Sequence, residues 1–187
     1  MQIYNKTQVN EIALALKDGK AAILPTDTVW GIVSLNENKI YQIKKRSFAK
    51  KVCKFVDSVD AIGMPSFLAD VIKPYMAKGG LSVIWKGISY RVPTCSYLID
   101  LLKLTGPLYQ SSANISGKPP IVMSQQAAIE FRDSLNMLII VDNSPWELST
   151  NIPSTIVDLD QLKVVREGQV NGYSIIEKAQ AAIKEHR

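Results

Sequence analysis

Apolar residues in this chain come in short runs punctuated by glycine, proline and polar turns, and their spacing shifts between the helical and the extended period. Val9, Ile12, Ala13 and Leu16 share one face of a helix that Thr7 is placed to cap and Gly19 to end. The apolar run 21–24 predicts a buried strand stopped by Pro25, and 31–35 a second one. Ile40 and Ile43 mark a short helix over 38–46 that turns strongly basic at its end. A strand is predicted over 52–56, then a helix over 65–76 whose end Pro74 distorts. Strands 81–85 and 88–92 are joined by a Lys86-Gly87 turn. A helix over 94–104, ended by Gly106, leads into a short strand at 107–111. A polar loop follows at 112–120. Ser124 is placed to cap a helix carrying Ala127, Ala128 and Phe131, and 137–141 is an apolar strand. After a long loop at 142–153 come strands at 155–159 and 163–166. Ser174 and Glu177 form a capping-box pattern that opens a last helix.

Strands and helices intermix without repeats or linkers, so the pattern predicts one α/β domain over 1–187 with a mixed parallel and antiparallel sheet flanked by helices. Hairpin-like pairs are too frequent for a purely doubly wound fold. The 187 residues, 47% hydrophobic and 21% charged, suffice for a core without disulfide staples. No apolar run approaches the ~20 residues that span a bilayer. The first residues show no basic stretch followed by an apolar one, which points to the cytoplasm and to no membrane partner.

Chemistry is bounded by what is scarce. Cys53 and Cys95 lie far apart, outside any C-x-x-C pair, and read as two ordinary thiols in a reducing compartment. The one histidine is His186, next to the end. Ser-His-Asp and Cys-His machinery built from this chain alone is thereby excluded, and the commonest metal ligand is missing. Hydroxyls, carboxylates and fixed positive charge remain. The net charge of +5 favours an anionic partner.

Four segments concentrate those groups. Pro25, Thr26, Asp27, Thr28, Val29, Trp30 and Gly31 place hydroxyls and a carboxylate directly after an apolar strand, where α/β sheets put ligand contacts; the same residue types also build ordinary turns. From Lys44 to Lys54 the chain carries Lys44, Lys45, Arg46, Lys50, Lys51 and Lys54 and no acid. A helix end accounts for one or two of these cations. The density fits phosphate, with a solvated surface as the competing explanation. In 110–120, Ser112, Asn114 and Ser116 point one way if the backbone stays extended, offering neutral donors to an anion or a ribose. A loop whose Ser and Asn cap backbone groups fits that segment equally well. Arg91 and Arg166 stand at strand ends, the latter near Ser154, and suggest convergence on one anionic ligand.

Taken in order, these segments resemble the YrdC-like family of threonylcarbamoyl-AMP synthases from the first helix to about Val170. The resemblance rests on Ser112-Ala113-Asn114-Ile115-Ser116-Gly117 and on Pro25-Thr26-Asp27-Thr28-Val29-Trp30-Gly31. It rests also on a K-x-R element at Lys44 and Arg46, an R-x-P strand at Arg91, Ser154-Thr155-Ile156-Val157-Asp158, and Arg166-Glu167-Gly168. It implies a twisted sheet with a positively charged concave face, in the family's short, single-domain form. The implied reaction joins L-threonine, bicarbonate and ATP, with Mg²⁺, into threonylcarbamoyl-adenylate and pyrophosphate. Partner machinery then transfers the threonylcarbamoyl group to adenosine 37 of tRNA. The resemblance gives Lys44 and Arg46 the catalytic role. It places Lys44, Arg46, Lys50, Ser112, Asn114, Ser116 and Arg166 on ATP, and Thr26, Thr28, Arg91 and Ser154 on threonine. It names no protein metal ligand.

The chain departs from that pattern at four places. The family's K-P-L or N-P-L reads Lys50-Lys51-Val52, and the histidine that often follows is Phe55. Its P-G-P-L-T turn is Lys78-Gly79-Gly80-Leu81-Ser82, and a threonine ahead of the R-x-P arginine is Gly87. Together with the basic run, these changes admit a second expectation: a catalytically weakened RNA- or nucleotide-binding module of the same fold, with tRNA or double-stranded RNA as partner.

Overall fold

The computed structural model describes residues 2–119, 121, 123–142 and 152–186. The strands are β1 (Gln2–Asn5), β2 (Ala21–Leu24), β3 (Gly31–Ser34), β4 (Cys53–Phe55), β5 (Leu81–Trp85), β6 (Ile88–Arg91), β7 (Leu108–Ser112), β8 (Leu138–Asp142), β9 (Thr155–Asp158) and β10 (Lys163–Arg166). The helices are α1 (Val9–Lys17), α2 (Glu37–Lys44), α3 (Ser66–Met76), α4 (Ser96–Thr105), α5 (Ser124–Glu130) and α6 (Gly172–Glu185). All ten strands join one sheet in the order β1-β8-β2-β3-β7-β4-β6-β5-β9-β10. The pairs β1–β8, β2–β8, β4–β6 and β5–β9 are parallel and the remaining five antiparallel. The mixed sheet expected from the hairpin content is what forms. No helix of the described residues is long and apolar enough to cross a membrane.

Side-chain alternation along the strands decides which faces are covered. In β2 and β8, Ala21, Ile23, Leu138 and Ile140 pack with α2 and α5, while Ala22, Leu24, Ile139 and Val141 pack with α1 and α4. That half of the sheet is therefore buried on both faces. The other half is not. Leu81, Val83 and Val157 pack under α3 and α6, and their alternates Ser82, Ile84 and Ile156 face an open concavity. Tyr90 packs inward and its alternates Ser89 and Arg91 face the same concavity. An uncovered, polar-studded sheet face is what positions the site.

Several local expectations change, each for a visible reason. β1 carries no apolar period because it is an exposed edge strand. Thr7 does not cap α1; its hydroxyl bonds Asn5 Oδ1 at 3.1 Å. α2 is capped by Asn36, whose Oδ1 accepts from the Asn38 amide at 3.0 Å. It stops at Lys44 because Lys45 adopts the left-handed conformation, φ 50°. Ser124 is the first residue of α5 and donates to Asp142 Oδ1 at 2.9 Å instead of capping. Asn171 caps α6 by accepting from Ser174 N at 3.0 Å, so the serine read as a cap is the capped residue. Lys86 and Gly87, at φ 50° and 72°, make the two-residue left-handed hairpin turn between β5 and β6. Of the long loop expected at 142–153, residues 143–151 lie outside the described residues.

Candidate active site

The open face of β4, β6, β5 and β9 floors a hollow of about 460 Å³. Four cations line it, Arg46, Lys51, Arg91 and Arg166, and among the described residues that line it there is no carboxylate. Of the residues expected in a site, Thr28, Arg46, Arg91, Ser112, Asn114, Ser154 and Arg166 meet here. Lys44, Lys50, Ser116 and Thr26 do not reach the lining.

Lys44 is the most consequential of the four absentees. It is 1% exposed at the end of α2 and is not among the residues that line the hollow. Nζ donates to the Ser112 carbonyl, to Asn114 O at 2.7 Å and to Asn114 Oδ1 at 3.1 Å. Burial first, then the nearby Arg46 charge, lowers its pKa to about 7. Its contacts fix a turn: Asn114 N bonds Ser112 O at 3.1 Å, and Ser112 Oγ bonds Asn114 Oδ1 at 2.6 Å. The extended row needed to align Ser116 with Ser112 and Asn114 is thereby broken. The Ser116 amide instead donates to Lys44 O at 3.1 Å.

Arg46 stitches the basic loop to β7. Nε donates to Lys50 O, NH2 to Lys51 O and NH1 to Ser111 Oγ, each at 2.9 Å. Burial pulls its pKa down, yet a guanidinium stays charged at neutral pH. Lys50 contributes its carbonyl and leaves its side chain exposed. The side chain of that pair that faces the hollow is Lys51, which bonds Gly87 O at 3.0 Å.

On the other side, Arg91 is anchored in a buried cluster. Its NH1 donates to Thr28 Oγ1 at 2.8 Å, and its NH2 lies 2.8 Å from Asp27 Oδ1, with the two side chains 4% and 7% exposed. The ion-pair distance is short, but the pair is not aligned as a hydrogen bond, and Arg91 Nε has no hydrogen-bond acceptor. A buried donor left in this state calls for an acceptor. Thr26 holds the turn from behind, donating to Val29 O at 2.6 Å, and faces a different cavity shared with Cys95 and Tyr97. Asp27→Asn should leave Arg91 without its counter-ion and cost about 2 kcal/mol of stability, measured by urea unfolding; an unchanged midpoint and slope would remove the pair from the account.

Arg166 closes the far end. Its Nε and NH2 both donate to Ser154 O, at 3.0 and 2.7 Å, and Ser154 Oγ sits 3.1 Å from Ser82 Oγ. Burial, then the Arg91 charge, lowers Arg166. Gly168 lets these segments approach: a Cβ there would fall on the Pro153 carbonyl and within 2.6 Å of Thr155 N. Ser82, Ser89 and Cys53 were not singled out from the sequence. The signal for the two serines is a small polar residue alternating with apolar ones in β5 and β6. Burial pushes the Cys53 thiol pKa up, so it is a poor nucleophile. Among the described residues no three His, Cys, Asp or Glu stand together. With hydroxyls, amides, one thiol and cations as the polar side chains of the described lining, these residues do not make a magnesium cage.

Fold and site together define an α/β protein whose half-open sheet carries a cation-lined hollow. The Sua5/YciO/YrdC family model, described as telomere recombination, matches residues 83–168. A putative threonylcarbamoyl-AMP synthase of Mycobacterium tuberculosis is 31% identical over 189 aligned residues, covering 87% of this chain and 85% of the relative. The chain belongs to the Sua5/YciO/YrdC family. An uncharacterized MG259 homolog of Mycoplasma pneumoniae is 29% identical over 96% of this chain, which spans 38% of that protein. The fold matches that of P. abyssi Sua5 complexed with L-threonine, at TM-score 0.78 and 22% identity, over 95% of this chain and 61% of that one.

Proposed function

We propose that the hollow forms threonylcarbamoyl-adenylate and pyrophosphate from L-threonine, bicarbonate and ATP. The observation that carries this reading is the convergence of Arg46, Arg91 and Arg166 on a lining of neutral hydroxyls and amides with no described carboxylate. Such a lining suits a triphosphate and an amino-acid carboxylate, and repels neither. The synthase names of the relatives and the threonine bound to P. abyssi Sua5 support it.

In this reading the Nε edge of Arg91 takes the threonine carboxylate, with Thr28 and Ser154 beside it. The threonine amine attacks the carbon of bicarbonate and water leaves, giving a carbamate. A carbamate oxygen attacks the α-phosphorus of ATP and the bond to pyrophosphate breaks. Arg46 and Arg166 stabilise the phosphate charge, with the Ser112–Asn114 turn lining the nucleotide. Lys44 acts as a positioning residue that holds that turn, while Lys50 and Ser116 contribute backbone. Magnesium arrives on the phosphates of ATP. The product would feed threonylcarbamoylation of adenosine 37 in tRNA.

The test is pyrophosphate release from ATP by purified protein, with the adenylate identified by mass. Release that requires both threonine and bicarbonate is the expected result. Release that is indifferent to threonine, or none at all, overturns the reading.

A further inference from the structure

We infer that Lys51 is a phosphate-tail contact of the nucleotide, its ammonium leaving the Gly87 carbonyl to bind the β- and γ-phosphates; this rests on the nucleotide reading above. The reasoning starts from which cations have donors to give. Arg46 spends Nε, NH1 and NH2 on Lys50 O, Ser111 Oγ and Lys51 O. Arg166 spends Nε and NH2 on Ser154 O. Arg91 is held by Asp27 and Thr28, and its unengaged Nε is already given to the threonine carboxylate. Each guanidinium is therefore fixed, and turning it would break contacts that hold the walls.

Lys51 differs in every respect. Its ammonium has three donors and one protein acceptor, Gly87 O at 3.0 Å. Its residue is exposed, and its stem is flexible. It borders open space on two sides: the hollow, and a groove of about 450 Å³ beyond it. Its backbone, by contrast, is pinned by Arg46 NH2. The hairpin turn it touches is pinned as well, because Asp160 accepts from Lys86 N at 2.8 Å and Gly87 N at 2.7 Å. The arrangement is a mobile cation on a fixed base, resting on a weak neutral acceptor at the mouth of the hollow. A phosphate oxygen is the stronger acceptor, since it sets a full negative charge against the ammonium where the Gly87 carbonyl offers only a dipole. The chemical class it selects is therefore an anion extending from the hollow to its mouth, as a triphosphate tail does and a monophosphate does not.

The experiment is calorimetric titration of wild type, Lys51→Met, Lys51→Arg and Lys54→Met with ATP, pyrophosphate and AMP. Lys54 serves as the charge-matched control because its Nζ lies over the Tyr109 ring, outside the hollow lining. Lys51→Met should weaken ATP and pyrophosphate by about tenfold and leave AMP within about twofold; Lys51→Arg should restore most of the loss, and Lys54→Met should change none of the three. Equal loss of AMP and ATP would show a general charge or folding effect and overturn the inference. So would ATP affinity unchanged in Lys51→Met while wild type binds ATP. Wild type that binds no ATP overturns the nucleotide reading itself, and the inference with it.

Discussion

Arg46→Ala lowers ATP affinity by at least about 100-fold, the combined loss of a fixed cation in the hollow and of the contacts that hold its basic loop. Calorimetry of the purified variant checks it, with circular dichroism confirming that the sheet persists. The magnitude follows from two roles in one side chain. Arg46 lines the hollow as a cation, and it ties the carbonyls of Lys50 and Lys51 to Ser111 on β7. Truncation removes the charge and frees the loop that carries Lys51. Arg46→Lys restores the charge but cannot span three acceptors in divergent directions, so it should recover only a minor part. Affinity in Arg46→Ala within threefold of wild type would remove Arg46 from the nucleotide site.

Lys44→Met should cost about 4 kcal/mol of stability, because it leaves Ser112 O, Asn114 O and Asn114 Oδ1 without their shared donor. Chemical denaturation measures this directly. The pH dependence supplies a second signature. The folded pKa of about 7 lies below the ordinary lysine value of 10.5, so between those values the unfolded chain binds more protons than the folded one. Stability from this group is therefore fully present above pH 10.5 and is lost as pH falls through about 7. The difference between wild type and Lys44→Met should grow with pH across that window, with a slope of at most about 1.4 kcal/mol per pH unit. A difference that is flat from pH 7 to 10 would mean that Lys44 is not held in the low-dielectric setting its burial implies. Pyrophosphate release should also fall in Lys44→Met, since the turn that lines the nucleotide is no longer fixed.

Why some of this was legible in the sequence and some was not comes down to the range of the interactions. The strand runs at 21–24 and 81–85 declare themselves because burial on one or both faces leaves an apolar signature. The Lys86-Gly87 turn declares itself because the two-residue hairpin demands left-handed backbone. The cap of the last helix shifted by three residues, from Ser174 to Asn171, because several polar residues compete for a helix start and packing picks among them. β1 left no signature at all, being exposed. In the site, the residue types were legible and their directions were not. Lys44 looks like any other cation of the basic run, and only the tertiary approach of β7 to the end of α2 turns it inward. Lys51 was passed over for Lys50 because nothing local distinguishes adjacent lysines; the contact of Lys51 with Gly87 O at the edge of the hollow does. Asp27 and Arg91 are far apart in sequence, and their pairing depends on a sheet order that no local pattern encodes.

That sheet order also bears on how the molecule comes into being. β1 and β2 both dock on β8, and the three-residue β4 is wedged between β7 and β6. β1 and β2 must therefore wait for partners synthesised more than a hundred positions later. Such high contact order slows folding. Until β8 and then β9, ending at Asp158, have left the ribosome, β2 and β5 keep open edges, which exposes the nascent sheet to aggregation in that interval.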